Sequence, residues 1–112
     1  MPGTRHFDRI PILGELHGEI MVLEPLMVKE LGPRGATIET RFPLALNSLH
    51  DLRLTLPTGA VVVKARVVHS HVGEMGEDAV RYRSGVEFVE PPAYVGVAIT
   101  EFLDSLRSSP PS

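Results

Sequence analysis

From residue 51 to residue 68 apolar and polar positions alternate, interrupted only by a turn. Leu52, Leu54 and Leu56 fall on one face, and Asp51, Arg53 and Thr55 on the other. After Pro57, Thr58 and Gly59 the period resumes, setting Val61, Val63, Ala65 and Val67 against Val62, Lys64, Arg66 and Val68. Period two is the mark of a half-buried strand, and turn chemistry between two such runs predicts a hairpin. A second hairpin follows, because a polar loop over 73–78 leads into Tyr82, Ser84, Val86 and Phe88 on one face and Arg81, Arg83, Gly85 and Glu87 on the other. Shorter runs rich in Val, Ile and Leu at 15–23, 26–31 and 36–41 join 51–56, 60–71 and 80–89 as predicted strands. Gly and Pro punctuate them about every ten residues, the spacing of a small antiparallel sandwich or barrel.

Beyond Pro91 and Pro92 the period lengthens. Tyr94, Ala98, Phe102 and Leu106 recur every four residues with Val95, Ile99 and Leu103 beside them, which predicts one C-terminal amphipathic helix packed across the mouth of the β structure. The tail over 108–112 is polar and Pro-rich and is expected to be disordered. The expected organisation is an N-terminal arginine-containing segment over 1–14, a β domain with its helix over 15–107, and the tail.

Composition narrows the function classes. With 112 residues, 43% hydrophobic and 22% charged, the chain has material for one core and a wet surface. It contains no cysteine, so disulfides, thiolate nucleophiles and cysteine-based zinc sites are excluded, in keeping with an expected cytoplasmic location. No stretch approaches the apolar length of a membrane span, and insertion is not expected. A formal net charge of −3 offers no basic field for duplex DNA, whereas a small anionic ligand needs only two or three placed cations.

Candidate chemistry is sparse. Ser48, His50 and Asp51 are neighbours in sequence, but a catalytic triad is defined by geometry and draws on separate elements. His69 and His71 share one side of a strand, with no third or fourth metal ligand in view. Phosphate-binding glycine loops, the serine elbow and the zinc-protease helix motif are missing. No catalytic residue, metal ligand or cofactor is therefore assigned. There is also the run "RHFDR", which sets Arg5 and Arg9 four residues apart ahead of the strands. Two guanidinium groups so placed grip phosphate oxygens bidentately or stack on a purine; a solvated basic tail would have the same sequence.

An Arg-x-x-x-Arg run before a β domain, then "ELGPRG" between two strands, then "YRSGVEF" and a terminal helix, resembles the PilZ family in content and order. The resemblance runs from Arg5 to about Leu106. It implies a six-stranded antiparallel β-barrel with one C-terminal α-helix, and a non-enzymatic receptor for cyclic di-guanosine monophosphate (c-di-GMP). The family arginines correspond to Arg5 and Arg9, and the family's second motif (Asp or Asn, any residue, Ser, two residues, Gly) falls on Glu30 to Gly35. The implied ligand-binding residues are Arg5, Arg9, Glu30, Gly32, Arg34 and Gly35. Glu30 keeps a carboxylate able to accept two hydrogen bonds from a guanine edge. Gly32 stands where the family has a hydroxyl, and a lost hydrogen bond to a charged group costs about 1.5–3 kcal/mol. Gly32, Pro33, Arg34 and Gly35 also read as a tight turn with Pro second and Gly fourth. Arg34 projects from it, either as a third cation for the phosphates or as a solvated side chain. The resemblance implies an arginine segment that closes on the ligand and changes the surface seen by a separate effector protein. The alternative is a degenerate PilZ domain that has lost the nucleotide and serves as a protein interaction module.

Overall fold

Among residues 9–20, 24–76 and 79–108, which the computed structural model describes, seven strands precede one helix. In chain order these are β1 (Ile10–Pro11), β2 (His17–Ile20), β3 (Pro25–Gly32), β4 (Gly35–Thr40), β5 (Leu49–Leu56), β6 (Gly59–Met75), β7 (Val80–Phe88) and α1 (Ala93–Ser108). Six of them close on themselves in the order β3-β2-β5-β6-β7-β4, with a β4–β3 pairing completing an antiparallel ring. The mostly β fold with a C-terminal helix expected from the sequence is what forms. The additional strand, β1, lies beside the C-terminal half of β3 and pairs Ile10 with Leu31 and Pro11 with Glu30. Two residues, one of them a proline, carry no alternation to read, and proline lacks the donor that an interior strand needs. Pairing thus begins inside the 1–14 segment.

The strongest alternation becomes the β5–β6 hairpin, closed by Pro57 and Thr58 between Leu56 and Gly59. Leu52, Leu54 and Leu56 of β5 and Val61, Val63, Ala65 and Val67 of β6 are all buried, together with Leu31, Ala36, Ile38, Val86 and Phe88. On α1 the buried line is Val95, Ile99 and Leu103; Ala98 and Phe102 pack partly, while Tyr94 and Leu106 stay exposed. The stripe is centred one residue, about 100° of helix, from the Tyr94–Leu106 row. α1 touches β3 on one side of the ring and β5 and β6 across it, so it closes an end of the barrel-like interior.

Leu54 is fully buried, and Leu54→Ala should destabilise the protein by about 2–5 kcal/mol through lost burial and the cavity left behind. On the outer face of the same hairpin Val62 is 52% exposed, and Val62→Ala should stay within about 0.5 kcal/mol. Denaturant melts of the two variants compare these costs.

The second hairpin extends beyond expectation. The 73–78 loop is shorter than predicted, since β6 continues to Met75 through an irregularity between Val72 and Glu74. Gly73 lies in that stretch, where a Cβ would come within 3.2 Å of the Arg83 Cβ. Its lack of a side chain lets the strand run on past the point where the sequence reads as a loop.

Candidate functional site

Two β-bulges decide which side chains reach the outer face of the ring. In β3 the register with β4 shifts between Val28 and Glu30. A bulge places an extra residue on one strand, so Lys29 and Glu30, adjacent in sequence, both line the same surface cavity. In β6 the register with β7 shifts between Val67 and His69. Strict alternation would send His69 and His71 inward with Val61 to Val67; the extra residue, Val68, turns them outward instead. Ser70 then faces Ser84, whose hydroxyl donates to it at 3.0 Å.

With those shifts, one lateral row crosses the sheet. Pro11 pairs with Glu30, Glu30 with Thr37, Thr37 with Gly85, and Gly85 with His69. The next row pairs Glu39 with Arg83 and Arg83 with His71. Together these rows floor a cavity of about 560 Å³, lined by Arg9, Pro11, Ile12, Lys29, Glu30, Thr37, His69, His71 and Arg83. That volume lies in the usual range of small-ligand sites, about 300–1,000 Å³. Three permanent cations, Arg9, Lys29 and Arg83, face one carboxylate, Glu30, in the lining. The local charge is thus opposite in sign to that of the whole chain.

Arg9 is held at the centre. Its Nη1 donates to Thr37 Oγ1 at 3.4 Å and its Nη2 to the Val86 carbonyl at 3.3 Å. Thr37 in turn donates to Glu30 Oε1 at 2.8 Å, so the guanidinium, hydroxyl and carboxylate form one chain. Gly35 makes the approach possible: a Cβ there would lie 2.9 Å from Arg9 Nη2 and would collide with the Val86 carbonyl oxygen. Thr37 and Glu39, on the outer face of β4, are each only 6% exposed. Arg83 donates to the Glu39 carboxylate at 3.4 Å, while its buried Nε has no hydrogen-bond partner among the described residues.

Of the six residues singled out by sequence, Arg9 and Glu30 line the cavity and Gly35 underlies Arg9. Arg5 lies outside the described residues. Gly32 is buried at the end of β3, pairs with Gly35 and has no positive φ; Arg34 sits exposed in the turn, its carbonyl accepting from the Phe88 amide at 2.8 Å. Neither lines the cavity. Thr37, Lys29, His69, His71 and Arg83 do, and the sequence reading gave none of them a role in ligand binding. The two histidine rings stack on each other with centroids 6.1 Å apart and 22° between planes. No group of three or more His, Cys, Asp or Glu side chains among the described residues is placed to hold a metal. Elsewhere, Ser48 Oγ lies 2.9 Å from His50 Nε2 and donates to the Ala45 carbonyl, whereas Asp51 faces Lys64 at 3.9 Å. The three residues do not form a relay.

Among solved structures the chain is similar to apo MrkH of K. pneumonia, with TM-score 0.74 and 19% identity over 94% of this chain and 53% of that one. It is also similar to the PilZ domain of YcgR from Escherichia coli, solved with c-di-GMP, with TM-score 0.73 and 12% identity over 94% and 92% of the two chains. PlzA of Borreliella burgdorferi, in complex with c-di-GMP, matches with TM-score 0.63 and 9% identity over 93% and 54%. The chain thus has the fold of PilZ domains, and it spans about half the length of MrkH. No family model matches it, and no curated protein does. No helix among the described residues is long and apolar enough to cross a membrane.

Proposed function

We propose that this protein is a non-enzymatic c-di-GMP receptor whose ligand binds in the cavity on the outer face of β3, β4, β7 and β6. The observation that carries the reading is Arg9, held over Gly35 and linked through Thr37 to Glu30. A fixed guanidinium is suited to a phosphodiester, and the neighbouring carboxylate accepts from the donor edge of guanine. Lys29 and Arg83 add positive charge to the same lining. Support also comes from the fold, shared with YcgR and PlzA domains solved with that nucleotide.

In this reading Arg5 joins Arg9 in clamping the phosphates, and Gly32, Arg34 and Gly35 form the turn at the rim. Ligand would reorganise the arginine segment and so the surface offered to an effector protein, in the cytoplasm. The glycine at position 32, where the resembled motif has a hydroxyl, favours the second reading, a protein interaction module without nucleotide.

A melting experiment separates the two. A ligand that binds only the native state stabilises it by RT ln(1 + [L]/Kd), about 2.7 kcal/mol at a hundredfold excess over Kd. c-di-GMP should therefore raise the melting temperature while guanosine monophosphate at equal concentration does little. A curve unmoved by millimolar c-di-GMP would sink the receptor reading and favour the module.

A further inference from the structure

The structure assigns to Thr37 the task of keeping Arg9 and Glu30 apart, so that a cation for phosphate and a carboxylate for guanine share one cavity without neutralising each other. The assignment rests on the receptor reading and adds to it a positioning residue on β4.

An arginine and a glutamate on neighbouring segments commonly close on each other, because a bidentate ion pair satisfies both. Arg9 and Glu30 line the same cavity and form no such pair. The Thr37 hydroxyl stands between them, 3.4 Å from Arg9 Nη1 and 2.8 Å from Glu30 Oε1. A hydroxyl has one proton to give and two lone pairs with which to accept. The proton goes to the carboxylate and a lone pair receives the guanidinium N–H, so each charged group has a neutral partner in place of the other.

The local structure fixes this spacer. Thr37 pairs directly with Glu30 in the β3–β4 ladder, where facing Cβ atoms are about 5 Å apart. Its β-branched side chain has little freedom at χ1, and at 6% exposure it is closed to most competing water. On the far side the Val86 carbonyl accepts from Arg9 Nη2 at 3.3 Å, so both acceptors that hold the guanidinium are neutral. Neutral acceptors orient a charge without cancelling it. Arg9 therefore keeps its full charge for a phosphodiester, and Glu30, with one bond accepted, keeps lone pairs for the donor edge of guanine. A valine at position 37 has nearly the same shape and offers neither group a partner. Arg9 and Glu30 then satisfy each other, at the ligand's expense rather than the fold's.

The test titrates the full chain with c-di-GMP and melts the same samples without ligand. Thr37→Val should bind about tenfold more weakly than the parent, the scale of one hydrogen bond to a charged group, with an unliganded melting temperature no lower than the parent's. Thr37→Ser, which keeps the hydroxyl and loses the methyl, should bind within about threefold of the parent. Glu30→Gln should cost less affinity in the Thr37→Val background than in the parent, because the carboxylate is already occupied by Arg9. A merely structural role for Thr37 would follow side-chain shape, leaving Thr37→Val close to the parent and weakening Thr37→Ser. That result, a loss in Thr37→Val accompanied by a lowered melting temperature, or an equal cost of Glu30→Gln in both backgrounds overturns the Thr37 assignment and leaves the receptor reading standing. If the parent does not bind c-di-GMP, the receptor reading falls and the assignment with it.

Discussion

Arg9→Ala should lower the affinity for c-di-GMP a hundredfold or more while leaving the fold nearly as stable as the parent. Hydrogen bonds to charged partners contribute about 1.5–3 kcal/mol each, so losing the two that a guanidinium fork makes to a phosphodiester removes about 3–6 kcal/mol. At about 1.4 kcal/mol per tenfold, that is more than two decades. The stability side is small. Arg9 precedes the two-residue strand β1, and its bonds to Thr37 and the Val86 carbonyl are long, at 3.4 and 3.3 Å. Thr37 keeps its bond to Glu30 when Arg9 is shortened. A change within about 1 kcal/mol is expected. Titration and thermal melting on the same sample give both quantities, and a variant that binds like the parent would remove Arg9 from the site.

How far the sequence announced this arrangement depends on where alternation is strict. The β5–β6 hairpin was legible because its inward residues are all apolar and Pro57-Thr58-Gly59 closes it. The outward row of β7 was legible too, with Arg83 and Gly85 assigned to one face. What alternation could not show was a change of phase. Val67 and His69 have the same parity, yet one is buried in the core and the other faces the cavity, because Val68 is an extra residue. Lys29 reaches the cavity for the same reason. A signal did exist: the inward residues of β7, Ser84 and Val86, pair properly with β6 only if the phase shifts, since Ser84 would otherwise meet a histidine. Thr37 and Glu39 were hidden for another reason. Polar residues on alternate positions of a strand read as solvent-facing, and only tertiary contacts reveal that the outer face of β4 is buried as well. Arg9 and Glu30 came from the motif, and they meet through Thr37, which the motif reading did not include.

Gly35→Ala should damage both stability and ligand binding, through two collisions that can be separated. The added Cβ would run into the Val86 carbonyl oxygen and lie 2.9 Å from Arg9 Nη2. The first of these is backbone. Ala36 pairs with Val86 and Gly35 with Glu87, so relief requires the β4–β7 ladder itself to shift. Overpacking of this kind typically costs about 1–3 kcal/mol. The second contact is the end of a long side chain, which can move at little cost in stability but loses its seat above Thr37 and its bond to the same carbonyl. Affinity for c-di-GMP should then fall by a large part of the Arg9→Ala effect. The double variant Arg9→Ala/Gly35→Ala tells the two routes apart. Its stability should be as low as that of Gly35→Ala, because the carbonyl collision persists. Its affinity should be no weaker than that of Arg9→Ala alone, because the arginine through which Gly35 acts is already gone. Additive losses of affinity in the double variant would mean that Gly35 shapes the cavity by a route other than Arg9.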